Sequence, residues 1–266
     1  MSVDLATKQD LLRRRLRSLE SAVVAFSGGV DSSLLAVLAR QELGGRMVAV
    51  TALSPSLRSS DRALCPELAA IFSIPHEFVE TDELSDPDYA ANPDDRCYFC
   101  KRRLLARLVE FADRRGFRYV VEGTNASDLD GHRPGMRASE ENPRAITPLV
   151  EAGISKGEVR LMARGLEIPT ADRPSAACLA SRIPTGVPIT QEILERIDRA
   201  EEAVRAAGAS QVRVRHHGDL ARIEVEPAEM GLLAARRAEV VRKIRGLGWR
   251  FVVMDLTGYR TGGARG

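Results

Sequence analysis

VVAFSGGVDSSLLAVL, residues 23–38, decides how the rest of the chain reads. Val23, Val24, Ala25 and Phe26 form an unbroken apolar run, the pattern of a strand buried on both faces of a parallel sheet, and after Ser32 the apolar positions return at helical spacing. The order is strand, tight turn, helix. In the turn, Gly28 and Gly29 permit positive φ and close backbone approach, and the amides that follow point toward the start of the helix, which makes a cradle for an anion. It is not a Walker A loop, because GxxxxGK[ST] needs a lysine for the β and γ phosphates and this turn has none. Asp31 stands where a lysine would be expected. A carboxylate beside phosphate oxygens calls for a divalent cation between them, and the small hydroxyls of Ser27, Ser32 and Ser33 suit pyrophosphate oxygens or that metal.

The chain of 266 residues is long enough for one large domain or two smaller ones, each with its own core. With 39 Lys and Arg against 37 Asp and Glu, net +2, no strong field surrounds it, so bulk electrostatic capture of nucleic acid is not indicated. The N-terminal stretch is charged and periodic, without the apolar core of a signal peptide, and no run approaches the ~20 apolar residues of a membrane span. A soluble, cytoplasmic protein with neither a membrane nor a nucleic-acid partner is the expectation. The four cysteines, Cys65, Cys97, Cys100 and Cys178, suit a reducing compartment, where thiols serve chemistry or metals.

An amphipathic helix over residues 5–20 precedes the first strand. A helix from Ser32 to Glu42, a break at Gly44 and Gly45 and a strand at Met47–Val50 complete a βαβ unit. Residues 51–56 then lie at the C-terminal end of a strand, where open α/β sheets place ligands. A helix over Leu64–Phe72 and a strand over Pro75–Val79 follow, and Cys65, at the start of that helix, reads as a packed, inert thiol. Tyr119–Glu122 is another buried strand. The segment Gly123-Thr124-Asn125-Ala126-Ser127-Asp128 is again a strand tip of small and polar residues, so two strand-tip loops are placed to close around one nucleotide. His132, farther along, reads as a solvated loop histidine. Ser155-Lys156-Gly157-Glu158 has the spacing of a capping box and opens a helix.

Two stretches carry the remaining thiols. Arg96-Cys97-Tyr98-Phe99-Cys100-Lys101 leads into a helix, and thiols at i and i+3 face the same way. A single CxxC suits a redox pair, half a zinc site, part of an iron–sulfur site or two structural cysteines; with no second CxxC, a paired-CxxC zinc site cannot be assembled. Cys178 lies in a loop bounded by prolines, with Arg173 and Arg182 near it in sequence, and cationic neighbours favour the thiolate.

SGGVDSS resembles the pyrophosphate loop of the PP-loop ATP pyrophosphatases, which split ATP to AMP and pyrophosphate while adenylating a substrate. SGGVDSS, RCYFCK, EGTN with a downstream RPG, and PSAACLASRIPTG together resemble the LarE family, the ATP-dependent sulfur transferases of the nickel-pincer nucleotide pathway, through most of residues 10–258. The resemblance implies that a pyridinium-3,5-dicarboxylate mononucleotide is adenylated on a carboxylate, attacked by sulfur and released as a thiocarboxylate. It implies ATP held by Ser27, Gly28, Gly29, Asp31, Ser32, Ser33, Gly123, Ser181 and Arg182, Mg²⁺ held by Asp31, and substrate contacts from Asn125, Asp128, Arg213 and Arg215. Arg182 and the pyrophosphate loop would stabilise the departing charge. Cys178 takes the position of the sulfur-bearing residue. Either its own sulfur leaves, with dehydroalanine left behind, or Cys97, Cys100 and Cys178 hold a [4Fe-4S] cluster whose open iron carries an extra sulfide, the route that gives Cys97 and Cys100 a task. A homo-oligomer, a hexamer, is also implied.

From Thr190 a helix, a hairpin, a second helix and a last strand follow, an α-β-β-α-β order. In the hairpin Val212 and Val214 share one face and Arg213 and Arg215 the other. The pattern alone reads the arginines as a solvated face; the resemblance makes them the holders of the substrate phosphate. The fold expected is α/β, a doubly wound, mainly parallel sheet forming a PP-loop domain over residues 1–185, with a smaller α+β domain over 186–260 and a disordered tail over 261–266. Two other functions fit parts of the sequence. A PP-loop tRNA thiolase would also join such a loop to cysteines, but the near-neutral charge and the absence of an added RNA-binding domain stand against it. A nucleotide-binding sensor without catalysis leaves the cysteines of CYFC and ACLASR without a role.

Overall fold

A computed structural model describes residues 4–129, 134–174 and 177–260. His132 and the expected tail lie outside the described residues. The chain forms two compact units, Met1–Tyr89 with Asp95–Ala176, and Ala90–Asp94 with Ala177–Gly266, so the ACLASR loop belongs to the second.

The first unit runs α1 (Leu5–Ser18), β1 (Ala22–Ala25), α2 (Val30–Leu43), β2 (Met47–Leu53), α3 (Ser59–Ile71), β3 (His76–Glu80), the single turn α4 (Pro87–Ala90), whose last residue already belongs to the second unit, α5 (Arg96–Arg115), β4 (Tyr119–Val121), α6 (Pro134–Glu140), β5 (Ala145–Ile146), the single turn α7 (Pro148–Glu151) and α8 (Lys156–Gly165). The strands lie in the order β3-β2-β1-β4-β5 and every pairing is parallel. Helices cover both faces, which is why β1 reads as a continuous apolar run. Ala22 and Val24 join Leu34 and Leu38 of α2 and Val159 of α8 on one side, while Val23 joins Val48, Val120 and Leu105 and Leu108 of α5 on the other. The strand order reverses direction between β1 and β4, and the crevice beyond their C-terminal ends is where sheets of this kind take ligands.

Helix α3 differs from its sequence reading. It begins at Ser59 rather than Leu64 and carries Pro66 inside it, placing Cys65 mid-helix. Proline removes one amide donor and disfavours helix before it. The Arg58–Asp61 ion pair at the first turn (2.7 Å) and the burial of Cys65, Leu68 and Ala69 offset that loss.

The second unit comprises α9 (Gln191–Ala206), β6 (Val212–His217), β7 (Leu220–Val225), α10 (Met230–Ala235), α11 (Arg237–Gly246) and β8 (Phe251–Met254). The single helix expected after the hairpin is broken at Arg236 into α10 and α11. β6 and β7 are antiparallel and β8 adds to β7 in parallel. The internal segment Ala90–Asp94 is stitched into this unit: Asn92, wholly buried, donates from Nδ2 to the carbonyls of Pro184 (2.8 Å) and Val187 (2.9 Å), and its own carbonyl accepts from the Gly186 amide (2.9 Å). No described helix is long and apolar enough to cross a membrane.

Candidate functional site

Between the end of β1 at Ala25 and the start of α2 at Val30 the chain turns within four residues, Phe26 to Gly29. Gly28 does so with φ 70°, and a Cβ there would stand 3.3 Å from the Cys65 sulfur. Gly29 has φ −73° and ψ 158°, ordinary extended backbone at an N-cap, so only one of the two glycines uses the left-handed region. Ser32 laces the turn together: its Oγ accepts from the Ser27 amide (3.2 Å) and donates to the Gly29 carbonyl (3.1 Å). Ser33 points inward, 3% exposed, and accepts from Thr170 Oγ1 at 3.5 Å. Beneath the loop Cys65 is fully buried, and burial pushes its thiol up to about 11, as suits an inert packed group.

The second strand tip closes against the first. A Cβ on Gly123 would lie 3.2 Å from Asp31 Cβ and 3.3 Å from the Ser32 amide nitrogen, so a glycine is required there by close approach. Between the tips opens a cavity of about 320 Å³ lined by Ser27, Gly29, Asp31, Ser32, Gly123 and Asp128, with Thr51, Lys101, Glu122 and Thr124, of a size ordinary for small-molecule sites. Asn125 caps the turn after β4, its Oδ1 accepting from the Ser127 amide (3.0 Å), while the Asp128 carboxylate accepts from the Asn125 amide (3.1 Å). Asn125 Nδ2 donates to Asp31 Oδ1 at 3.2 Å. The other oxygen of Asp31 accepts from the ammonium of Lys156, at the first turn of α8.

Sequence reasoning passed over three participants in this crevice. Lys101, the residue after Cys100, reaches from α5 to the buried carboxylate of Glu122, which also accepts from Thr124 (2.7 and 2.9 Å) and Ser139 (3.1 Å). Burial alone would raise the Glu122 carboxyl; Lys101, Thr124 and Ser139 more than offset it and hold it below its ordinary value. Lys156 is the third. All three sat in stretches singled out for other reasons, and only tertiary proximity reveals them.

Two groups not contained in the chain bear on this site. For Mg²⁺, Asp31 offers one carboxylate in the cavity, and that ion is commonly held by one or two carboxylates plus substrate phosphates, so the donor set fits. For an iron–sulfur cluster, Cys97 and Cys100 stand one turn apart on α5, the first exposed and the second half-buried, which is two-thirds of a three-thiol set. Cys178 is exposed and belongs to the other unit. Among the described residues no three His, Cys, Asp or Glu side chains gather as a metal site.

In the second unit Cys178 is the residue before a short 3-10 turn, Leu179–Arg182. Arg182 is 1% exposed and all three guanidinium nitrogens are engaged. Nε and Nη2 donate to Glu201 (2.7 and 3.1 Å), and Nη1 to the carbonyls of Ala177 (2.7 Å) and Cys178 (2.9 Å) and to Ser181 Oγ (3.0 Å). Its guanidinium thus pairs with Glu201 and holds the Cys178 loop; its contact to ATP is what the resemblance implies. Arg213 and Arg215 are 3% and 6% exposed, which corrects the solvated face that the alternation alone suggests. Arg215 makes a two-bond pair with Glu224 (2.9 Å each) and donates to the Ser181 carbonyl (2.9 Å). Arg213 donates to the Val212 carbonyl (2.8 Å) and lies over the Tyr259 ring, 5.1 Å from its centroid. Arg205 (2.8 Å) also pairs with Glu201 and Arg222 (3.1 Å) with Glu224, and the charge of Arg213 acts on Glu201 as well. Arg222 also stands 3.7 Å from the Asp255 carboxylate.

The asparagine synthase family matches residues 8–97, the span from α1 into the start of α5. An uncharacterised protein of Synechocystis sp. is 42% identical over 97% of this chain and 97% of its own length. The pyridinium-3,5-bisthiocarboxylic acid mononucleotide synthase of Lactiplantibacillus plantarum is 34% identical over 97% of this chain and 94% of its own length. A glutamine-hydrolysing GMP synthase chain of Pyrococcus horikoshii is 29% identical over 56% of this chain and 51% of its own length.

Proposed function

This chain belongs to the LarE family, that of pyridinium-3,5-bisthiocarboxylic acid mononucleotide synthase, and on that footing we propose that it is an ATP-dependent sulfur transferase acting on a carboxylated pyridinium mononucleotide. The observation that carries the reading is the closure of two strand tips, Ser27–Gly29 and Gly123–Asp128, on one cavity at the switch point of a parallel sheet. In the reaction a substrate carboxylate oxygen attacks the α-phosphorus of ATP and pyrophosphate leaves. A sulfur nucleophile then attacks the acyl carbon and AMP leaves with the electron pair of the broken C–O bond. The first unit serves the adenylation: the backbone amides at the start of α2 and the hydroxyls of Ser27 and Ser32 bind the pyrophosphate, and Asp31 would hold Mg²⁺, which when bound supplies charge neutralisation between the phosphates.

The second unit serves the substrate. Arg213 and Arg215 lie buried on the same strand, guanidinium groups of the kind that hold a phosphomonoester, and Arg182 and Ser181 fix the loop that displays Cys178. The finer proposal is that Cys97, Cys100 and Cys178 hold a [4Fe-4S] cluster, which when bound would supply an iron site open to an extra sulfide. The thiols and the cytoplasmic setting proposed with them agree in requiring reducing conditions; a homo-oligomer is part of the same reading.

One incubation tests both levels. Anaerobically reconstituted protein with ATP, Mg²⁺ and the dicarboxylate mononucleotide is expected to yield AMP and pyrophosphate in step with thiocarboxylate; ADP and phosphate as the sole products would overturn the adenylation reading. Intact mass afterwards separates the sulfur sources. Unchanged mass with several products per chain supports the cluster, and dehydroalanine at Cys178, one per product regardless of added iron and sulfide, refutes it.

A further inference from the structure

The segment that leads to Cys178 starts in the first unit, and its root there is fastened. After α8 ends at Gly165 the chain runs on to Arg173 without a regular element. Ile168 and Ala171 are buried in the core that α2 and α8 share, and Thr170 donates to Ser33 of α2 (3.5 Å). Arg160 of α8 donates to the carbonyls of Ala171 and Arg173. Arg173 itself pairs through Nη2 with Asp61 Oδ1 of α3 at 2.9 Å. Local folding does not require this last contact. Asp61 is 6% exposed and already has a two-bond partner in Arg58 (2.7 and 2.8 Å), which neutralises it at the first turn of α3. A second guanidinium on the same carboxylate therefore serves the segment it comes from. The pairing also directs the charge of Arg173 to Asp61, whereas nearness in sequence alone suggests a cation acting on the Cys178 thiol.

We propose that Arg173 and Asp61 are positioning residues for sulfur transfer: their ion pair fastens the root of the Cys178 segment to α3 and so confines the thiol, while neither residue touches substrate. α3 is the helix against the pyrophosphate loop, since a Cβ on Gly28 would meet its Cys65 and Leu64 at 3.3 and 3.6 Å. The inference rests on the reading of the chain as an adenylating sulfur transferase, and it holds for either source of the sulfur because both use Cys178. Arg173 stands five positions before Cys178, and at about 3.5 Å per residue at most the Cα of Cys178 stays within roughly 18 Å of it. Without the pair the hold retreats to Ala171 or Ile168 in the core, and the tether grows to seven or ten positions. Effective concentration falls with about the 3/2 power of tether length, so the thiol is diluted roughly two- to threefold.

Two rates measured on the full chain, anaerobically reconstituted, test this. Exchange of labelled pyrophosphate into ATP, driven by the dicarboxylate mononucleotide, reads adenylation; conversion of the acyl-adenylate into thiocarboxylate in a single turnover reads sulfur transfer. In Arg173→Met, at a side chain 30% exposed, exchange is expected to stay at the wild-type rate while sulfur transfer falls roughly two- to threefold. Arg173→Lys, which keeps the charge, should recover most of the loss. Asp61→Asn should lower the ratio of the two rates to a similar extent, and adding it to Arg173→Met should lower that ratio no further. A ratio unchanged in Arg173→Met, whether both rates hold or both fall together, would make the pair a stabiliser of the fold only and overturn the proposal. So would a rise in the pH at which iodoacetamide alkylates Cys178 in Arg173→Met, which would place Arg173 on the thiolate instead. Wild type without exchange would overturn the adenylating reading of the chain, and the proposal with it.

Discussion

Arg182→Ala removes the guanidinium that joins the Cys178 loop to the core of the second unit. The change leaves the fully buried Glu201 carboxylate with Arg205 as its remaining ion-pair partner and strips donors from the carbonyls of Ala177 and Cys178. Removing one partner of a buried pair costs about 3–5 kcal/mol, and because Arg205 stays, the low end, about 3 kcal/mol, applies. Trp249 is the single tryptophan of the chain and lies buried in this unit, donating to His216 Nδ1 at 3.2 Å, so its emission follows the unfolding of that unit alone. With a urea m-value of about 1.5 kcal/mol per molar, the midpoint should fall by about 2 M. The acid limb provides a second reading. Burial alone would raise the Glu201 carboxyl, but Arg182, then Arg205 and Arg213, more than offset it and hold it below its ordinary 4.5. A carboxyl depressed in the folded state gives stability that is present above its unfolded value and lost as pH falls through its folded value. In the variant the folded value rises, so the acid loss begins at higher pH. A midpoint shift under about 0.5 M with an unmoved acid limb would refute the assignment of Arg182 as the anchor of this loop.

Arg213→Ala is expected to weaken binding of the mononucleotide by roughly 1.5–3 kcal/mol, the range for a hydrogen bond to a charged group, with ATP affinity little changed; equal loss of both would make the hairpin arginines structural. Gly28→Ala forces a left-handed residue to carry a Cβ 3.3 Å from Cys65 Sγ, and should cost about 1–2 kcal/mol in stability together with pyrophosphate affinity, both measured on the same preparation. A fully retained affinity would show that the loop geometry is not what binds. Native protein treated with iodoacetamide at pH 8 should be labelled at the exposed Cys97 and Cys178 and not at Cys65, which mass spectrometry of the peptides reads directly. Because the folded Cys65 thiol keeps its proton to about 11 while the unfolded one loses it near 9.0, its contribution to stability is whole below 9.0 and declines as pH rises between the two, a slope that Cys65→Ala should flatten.

The parts of this molecule that the sequence shows plainly are those whose cause is local. The apolar run into SGGVDSS, the return of helical spacing after it and the Ser155–Glu158 cap each rest on residues within a few positions, and each forms as read. Strand β5, two residues long, has too little periodicity to be seen without its neighbour β4. Pro66 argues locally against the helix that packing nonetheless extends past it. The arginines of β6 alternate as a water-facing edge would, and nothing in that alternation tells that Glu201, from α9, and Glu224, across the hairpin, wait to pair with their seam. Lys156 is hidden for the same reason: its partner is defined by the fold and lies 125 positions away.

The segment Ala90–Asp94 also bears on how this protein is made and how it can be cut. During synthesis it leaves the ribosome well before residues 184–189, so the strand-forming half can mature first while a five-residue piece of the later unit waits. The second unit is consequently not severable at one point. A fragment starting after residue 176 would lack Asn92 and Ala90, leaving the carbonyls of Pro184 and Val187 and the amides of Gly186 and Ile189 without their partners. An exchange of that unit between relatives has to carry two pieces of gene, the internal pentapeptide and the C-terminal stretch, because a chimaera that moves only one joins a lock from one parent to a key from the other.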